Sequence, residues 1–156
     1  MVITENNQAD VQRQPLNIES VLDLWSRTYN AQDKPDWSHI FPYYHEEVIF
    51  QDPIQKIEGK QAFIKMCNRL TDRCEELHME ITSIAAKENI ILMEWEMRMV
   101  FRRTPSTTLY GSTKLILGDD GRISQQRDYY DLWGDIFPNV PLMRRIYPSI
   151  MKWIFG

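Results

Sequence analysis

The run from Ile90 to Arg102 constrains this chain more than any other stretch. Met93, Trp95, Met97, Met99 and Phe101 alternate there with Glu94, Glu96 and Arg98. In an extended strand successive side chains point to opposite faces, so this pattern sets five apolar residues toward a core and the charged ones toward water. A single half-buried strand cannot stand alone. Its neighbours are legible as Leu77 to Ala85, Thr107 to Leu117 and Arg122 to Leu132, joined by Lys87-Glu88-Asn89, by the Arg103 to Ser106 loop and by the turn Gly118-Asp119-Asp120-Gly121.

The first half of the chain has another period. Between Ile18 and Tyr29 the apolar residues Ile18, Val21, Leu22, Leu24, Trp25 and Tyr29 recur every three or four positions, which predicts a helix with one buried face and Asn17 as its N-cap. Ala31 to Pro35 reads as a turn, and Trp37 to Tyr44 as a short aromatic helix interrupted by Pro42. Val48, Phe50 and Asp52 alternate with Ile49 and Gln51 in a short strand that Pro53 ends. After Gly59 a second amphipathic helix gathers Ala62, Phe63, Met66, Cys67 and Leu70 on one face. Helices followed by an antiparallel meander predict an α+β fold.

At 156 residues this is the size of one domain. Residues 17–133 are expected to form it, with 1–16 as a flexible N-terminal arm and 134–156 as a distinct apolar tail. The charge of −4 comes without a Lys/Arg cluster able to neutralise a run of phosphates, which argues against nucleic acid as a partner. The polar start resembles neither a signal peptide nor a membrane span. Cys67 and Cys74, both read as helical, would lie roughly 10 Å apart, too far for a disulfide. A reducing cytoplasm is therefore the expected compartment. No other Cys or His stands at metal spacing, so no metal is expected.

Strand parity points to the candidate chemistry. In the last strand Gln126, Asp128 and Tyr130 share a face, opposite Arg127, Tyr129 and Asp131, and in the short strand the matching set is Val48, Phe50 and Asp52. Two carboxylates thereby face the predicted apolar interior. A carboxylate that loses hydration there gains affinity for a proton, and two that approach one another leave one of the pair protonated, giving an acid and a base together. Structural roles suit the same residues. Asp52 is placed to cap the turn at Pro53, and Asp128 to pair with Tyr110 or Gln126.

The succession of a helix, Phe50-Gln51-Asp52-Pro53, Gly59-Lys60, a second helix, strands, Asp120-Gly121-Arg122-Ile123 and Arg127-Asp128-Tyr129-Tyr130-Asp131 resembles the nuclear transport factor 2-like (SnoaL-like) superfamily over about residues 17–133. That superfamily includes steroid Δ-isomerases, SnoaL-like polyketide cyclases, limonene-epoxide hydrolases and pocket-bearing proteins without known activity. The resemblance implies a curved antiparallel sheet wrapped with N-terminal helices into a cone around a pocket. Asp52 falls where steroid isomerases carry the general base of a Glu-Asp-Pro motif. Asp128 falls where limonene-epoxide hydrolases keep the second acid of an Asp-Arg-Asp relay, whose other two positions read Trp95 and Met97 here. The implied function is binding of a small apolar, oxygenated molecule, with isomerase, cyclase or lyase chemistry by Asp52 and Asp128. Ligand binding or assembly without turnover is the alternative. The implied pocket lining is Trp25, Tyr29, Phe50, Trp95, Met97, Tyr110, Gln126 and Tyr130, with Tyr29 or Tyr110 as candidate oxyanion donor. No cofactor is implied.

The tail departs from the family's short ending. From Gly134 to Gly156 it carries twelve large apolar residues, with Arg144, Arg145 and Lys152 as its cations. Such a segment is too apolar to be left in water. It is expected to pack on the domain or on a second subunit in a homodimer, with weak contact to a membrane surface as the third option.

Overall fold

The computed structural model describes residues 16–103, 106–136 and 141–155, so the arm expected at 1–16 lies, apart from Leu16, outside the described residues. α1 (Ile18–Ser26) opens with a reciprocal cap. The Asn17 side chain accepts from the Ser20 backbone N–H at 2.9 Å, and Ser20 Oγ accepts from the Asn17 N–H at 2.9 Å. The helix stops three residues short of the expected Tyr29 because the next side chains tie to a strand instead. Thr28 donates to the Leu77 carbonyl at 2.6 Å, and the Leu77 N–H donates to the Tyr29 hydroxyl at 2.9 Å. The aromatic helix proves to be a 3-10 segment, Ser38–Tyr43, and Gly59, at φ 88°, precedes α2 (Lys60–Thr71).

The strands are β1 (Tyr44–Gln51), β2 (Lys56–Glu58), β3 (Cys74–Lys87), β4 (Ile90–Phe101), β5 (Thr107–Leu117) and β6 (Ile123–Tyr130). They form one curved, unclosed sheet in the order β2-β1-β6-β5-β4-β3. The meander β3 to β6 is antiparallel, as expected, but β1 joins β6 in parallel, so the sheet is mixed. Cys74 opens β3 rather than continuing a helix, because α2 ends at Thr71. Both cysteines are free and buried.

The alternation of β4 holds from Ile91 to Met99, while Phe101, expected inward, is half-buried. Ile91, Met93, Trp95, Met97 and Met99 are buried, with Leu92, Glu94 and Arg98 exposed between them. Against this inner row pack Val21, Leu24 and Trp25 of α1 and Phe63 and Cys67 of α2. Tyr44, Leu77, Leu115 and Ile123 complete a core in which each is fully enclosed. Burying a side chain of that size contributes about 2 kcal/mol, so the inner face of the sheet holds the two helices in place. That inner face is also the one that carries Asp128.

Candidate functional site

Register brings the acids toward each other. Phe50 of β1 lies beside Gln126 of β6 and Gln51 beside Arg127, so Asp52, the next residue, leaves the strand level with Asp128 and Tyr130. The two carboxylates meet different surroundings. Asp52 stands just past the end of β1, where the chain turns at Pro53. Its Oδ1 accepts the N–H groups of Ile54 at 2.8 Å and Gln55 at 2.7 Å, and its Oδ2 accepts the Tyr130 hydroxyl at 3.1 Å. The turn cap that Asp readily makes is therefore formed.

Asp128 lies within the sheet, where the strand ladder has engaged the nearby backbone groups, and its partners are side chains. Thr113 Oγ1 donates to Oδ1 at 2.7 Å, and Gln126 Nε2 donates to Oδ1 at 3.0 Å and to Oδ2 at 3.2 Å. Behind these stands a further layer. The Trp95 indole N–H donates to Thr113 Oγ1 at 2.8 Å, and the Tyr44 hydroxyl donates to Gln126 Oε1. Every donor in this network points toward Asp128. Oδ1 takes two of the three bonds, which leaves Oδ2 as the oxygen with room for a proton or a ligand.

Loss of hydration pushes the Asp128 carboxyl up to about 6; the Asp52 charge adds to the rise, while the bonds from Thr113 and Gln126 hold it back. The groups around it are kept neutral. Burial, reinforced by the Asp128 charge, raises the Cys67 thiol to about 12. The Tyr44 phenol is raised by burial, then by Cys67 and Asp128, and the Tyr130 phenol by burial, then by Asp52. A carboxyl that titrates near 6 among donors that do not titrate near neutrality is suited to exchanging protons.

The remaining sequence-predicted residues divide into three groups. Trp25, Phe50, Trp95, Met97 and Gln126 are buried in the inner core, and Tyr130 is half-buried with its ring centroid 6.4 Å from that of Trp95. Tyr29 is engaged at β3, where its hydroxyl lies 3.3 Å from His78 Nε2. Tyr110 is 59% exposed on the outer face, because the inward row of β5 is Thr107, Leu109, Gly111, Thr113, Leu115 and Leu117. The structure therefore brings neither Tyr29 nor Tyr110 to the acids. It adds Thr113, Tyr44 and Cys67, which sequence reasoning had not assigned to the site. Thr113 was detectable as the one hydroxyl residue between Leu109 and Leu115 on an apolar row.

Two hollows mark the surface. One, of about 450 Å³, lies where Leu16 and the start of α1 meet the β3–β4 turn. The other, of about 760 Å³, borders the cross-strand row Trp95, Gly111 and Tyr130 and is fringed by Glu94, Glu96, Tyr110 and Tyr129. Neither is lined by Asp52 or Asp128. Among the described residues no group of three or more His, Cys, Asp or Glu is arranged to hold a metal ion.

Comparison with solved structures finds the same fold. An LEH-like epoxide hydrolase of M. tuberculosis is 18% identical, with 86% of this chain and 92% of that chain covered and a TM-score of 0.60. A candidate SnoaL-like polyketide cyclase from Jannaschia sp. CCS1 is 20% identical over 77% and 90%, at 0.61. An NTF2-like protein of unknown function from Cytophaga hutchinsonii is 15% identical over 72% and 95%, at 0.58. At such identities the likeness establishes the nuclear transport factor 2-like cone and nothing finer. No curated protein matches. The family model for the SnoaL-like domain matches residues 25–126, a span that holds Asp52 and Gln126 and stops two residues before Asp128, and on that match the chain belongs to the SnoaL-like domain family.

Proposed function

We propose that this SnoaL-like protein binds a small apolar, oxygenated molecule and moves a proton on it by carboxylate chemistry, as an isomerase, cyclase or lyase does, with Asp128 as the proton carrier. The observation that carries this reading is the Asp128 carboxyl itself, raised to about 6 and held through Oδ1 while Oδ2 keeps one long bond. Near neutral pH it is mostly ionised and acts as a base. Having taken a proton from the carbon beside a carbonyl, it sits within reach of neutrality and can return that proton to another atom. The electron pair released from the C–H bond moves onto the carbonyl oxygen, and a neutral donor must meet it there. Tyr130 suits that role, since its phenol is held un-ionised and its single O–H, given to Asp52 in the structure, can turn from that carboxylate to the oxyanion.

The geometry favours exchanging the roles that family resemblance suggests for the two acids. Asp52 spends Oδ1 on two backbone N–H groups and Oδ2 on Tyr130, so it orients the phenol rather than carrying the proton. Deuterium incorporation from D₂O into a panel of apolar ketones, followed by NMR, tests this assignment. Asp128→Asn is expected to slow exchange by roughly 10² or more, and Asp52→Asn by less than about tenfold. The opposite ranking, or equal rates in the wild type and both variants, would sink the assignment.

One observation favours a second reading, binding or assembly without turnover. Tyr44, Phe50 and Phe63 fill the interior next to the network, with the Phe63 ring 4.4 Å from that of Tyr44 and 5.3 Å from that of Phe50. On this reading the polar cluster is a satisfied core element. Ligands from the same panel would then raise the melting temperature while no deuterium is incorporated.

A further inference from the structure

The C-terminal helix, α3 (Pro141–Phe155), carries an apolar stripe and a cationic side, with Phe155, 79% exposed, on the cationic side of its last turn. Leu142, Ile146, Ile150, Trp153 and Ile154 recur at four-, four-, three- and one-residue steps, which sets them along one stripe of the helix. Every one of them is exposed, Leu142 at 65% and Trp153 at 86%. Arg144, Arg145 and Lys152 occupy the other side and are exposed as well. The helix is tied to the domain where Trp133 stacks on Tyr147, ring centroids 5.0 Å apart and planes at 13°. Tyr147 stands at the margin of the apolar stripe, so the contact leaves the stripe's centre uncovered.

We propose that α3 is an interfacial helix that docks the protein on the surface of an anionic phospholipid bilayer. Charge is what selects this occupant. Three of the chain's 18 cations and none of its 22 acids lie in α3, so the helix carries +3 and the rest of the chain −7. An anionic surface attracts the helix and repels the body, which orients the molecule with α3 toward lipid. Two copies paired through the stripe would bury the same apolar residues but leave the three cations, on the other side of each helix, without an opposite charge. A flat position also suits the geometry. Fifteen residues make a helix about 22 Å long, and no helix among the described residues is long and apolar enough to cross a membrane. Lying in the plane, its stripe enters the headgroup boundary while the cations remain among phosphates. Pro148 fits the same placement. It denies the Arg144 carbonyl its helical N–H partner, and on the helix that point falls among the cations, where headgroup water is at hand.

Sedimentation of the full chain with vesicles tests the proposal. Binding is expected to vesicles of phosphatidylcholine with about one-third phosphatidylglycerol, at least roughly tenfold tighter than to phosphatidylcholine alone, and weakened by salt. The double variants Ile146→Asp/Ile150→Asp and Arg144→Glu/Arg145→Glu should each lose about tenfold or more. All four residues are exposed, so both variants should keep the wild-type melting temperature, and the second retains the apolar stripe as a check on folding. Equal binding to both kinds of vesicle, or to neither, overturns the proposal. So does a lipid-free dimer, seen by analytical ultracentrifugation, that Ile150→Asp dissociates while vesicle binding stays absent.

Discussion

Asp52 and Asp128 are the same residue type, level with each other on neighbouring strands, and the protein treats them in opposite ways. Asp52 leaves the last residue of β1 just where backbone N–H groups run out of strand partners, so two of them turn to its carboxylate. Asp128 lies inside β6, where the ladder to β5 occupies its neighbours and only side-chain donors remain. Backbone amides offset the lost hydration of the first acid. The second gains two side-chain donors and still titrates near 6. Position along a strand thus decides which donors an inward acid meets, backbone N–H groups for Asp52 and side chains for Asp128.

The largest effect that sharpens this contrast is on stability against pH. The folded-state value of about 6 for Asp128 lies above the ordinary carboxyl value of 3.8. Between those values the folded chain binds more protons than the unfolded one, so stability is full below pH 4 and falls as pH rises through 6. A shift of that size corresponds to about 3 kcal/mol. Asp128→Asn keeps an oxygen for Thr113 and removes the titration. The difference in unfolding free energy, variant minus wild type, should therefore rise by about 2 to 3 kcal/mol from pH 4 to 7.5 in urea titrations. A flat difference for Asp128→Asn would place that carboxylate in water and erase the contrast.

The next effect reaches Asp128 through a residue without a side chain. A Cβ at Gly111 would stand 2.5 Å from the Trp95 indole and 2.7 Å from the Tyr129 carbonyl oxygen. The indole must shift, and with it the N–H that Thr113 accepts. Gly111→Ala is expected to cost roughly 1–3 kcal/mol through overpacking. With Thr113 less well held, the Asp128 carboxyl should also titrate higher, and its carboxyl ¹³C NMR signal at a fixed pH should move more than that of Asp52. Equal movement of the two signals would mean that the acids share one network rather than two.

Much of this was legible before the fold was known, and what was missed has a common cause. The alternation in β4, the Asn17 cap and the Gly118 to Gly121 turn are local signals, and each appears in the structure. The inward set Gln126, Asp128 and Tyr130 followed from parity alone. The three-residue β2 was hidden because it is too short to show an alternation, and the early start of β1 at Tyr44 because it depends on a partner strand distant in sequence. A register shift sets residues 44–49 of β1 against only 123–125 of β6, so Tyr44, which keeps the inward parity of Val48 and Phe50, comes within reach of Gln126 in a way no local pattern discloses. Tyr110, which the resemblance implies as pocket lining, faces outward because Leu109 and Leu115 set the inward row of β5, a row interrupted to the eye by Gly111. Pairing across the chain, not burial or propensity, was the missing information.

The smallest expected effect isolates the Asp52 cap. Asp52→Ala leaves the N–H groups of Ile54 and Gln55 without their acceptor, but Ile54 is 63% exposed and water reaches the turn. The loss should therefore resemble that of an exposed helix cap, about 1 kcal/mol. Asp52→Asn retains the accepting oxygen and should cost a few tenths of a kcal/mol. Urea unfolding of the two variants checks this, since an equal cost for Asp52→Asn and Asp52→Ala would mean that the accepting oxygen is not what the turn needs. In that event position along the strand would not be what separates the two acids.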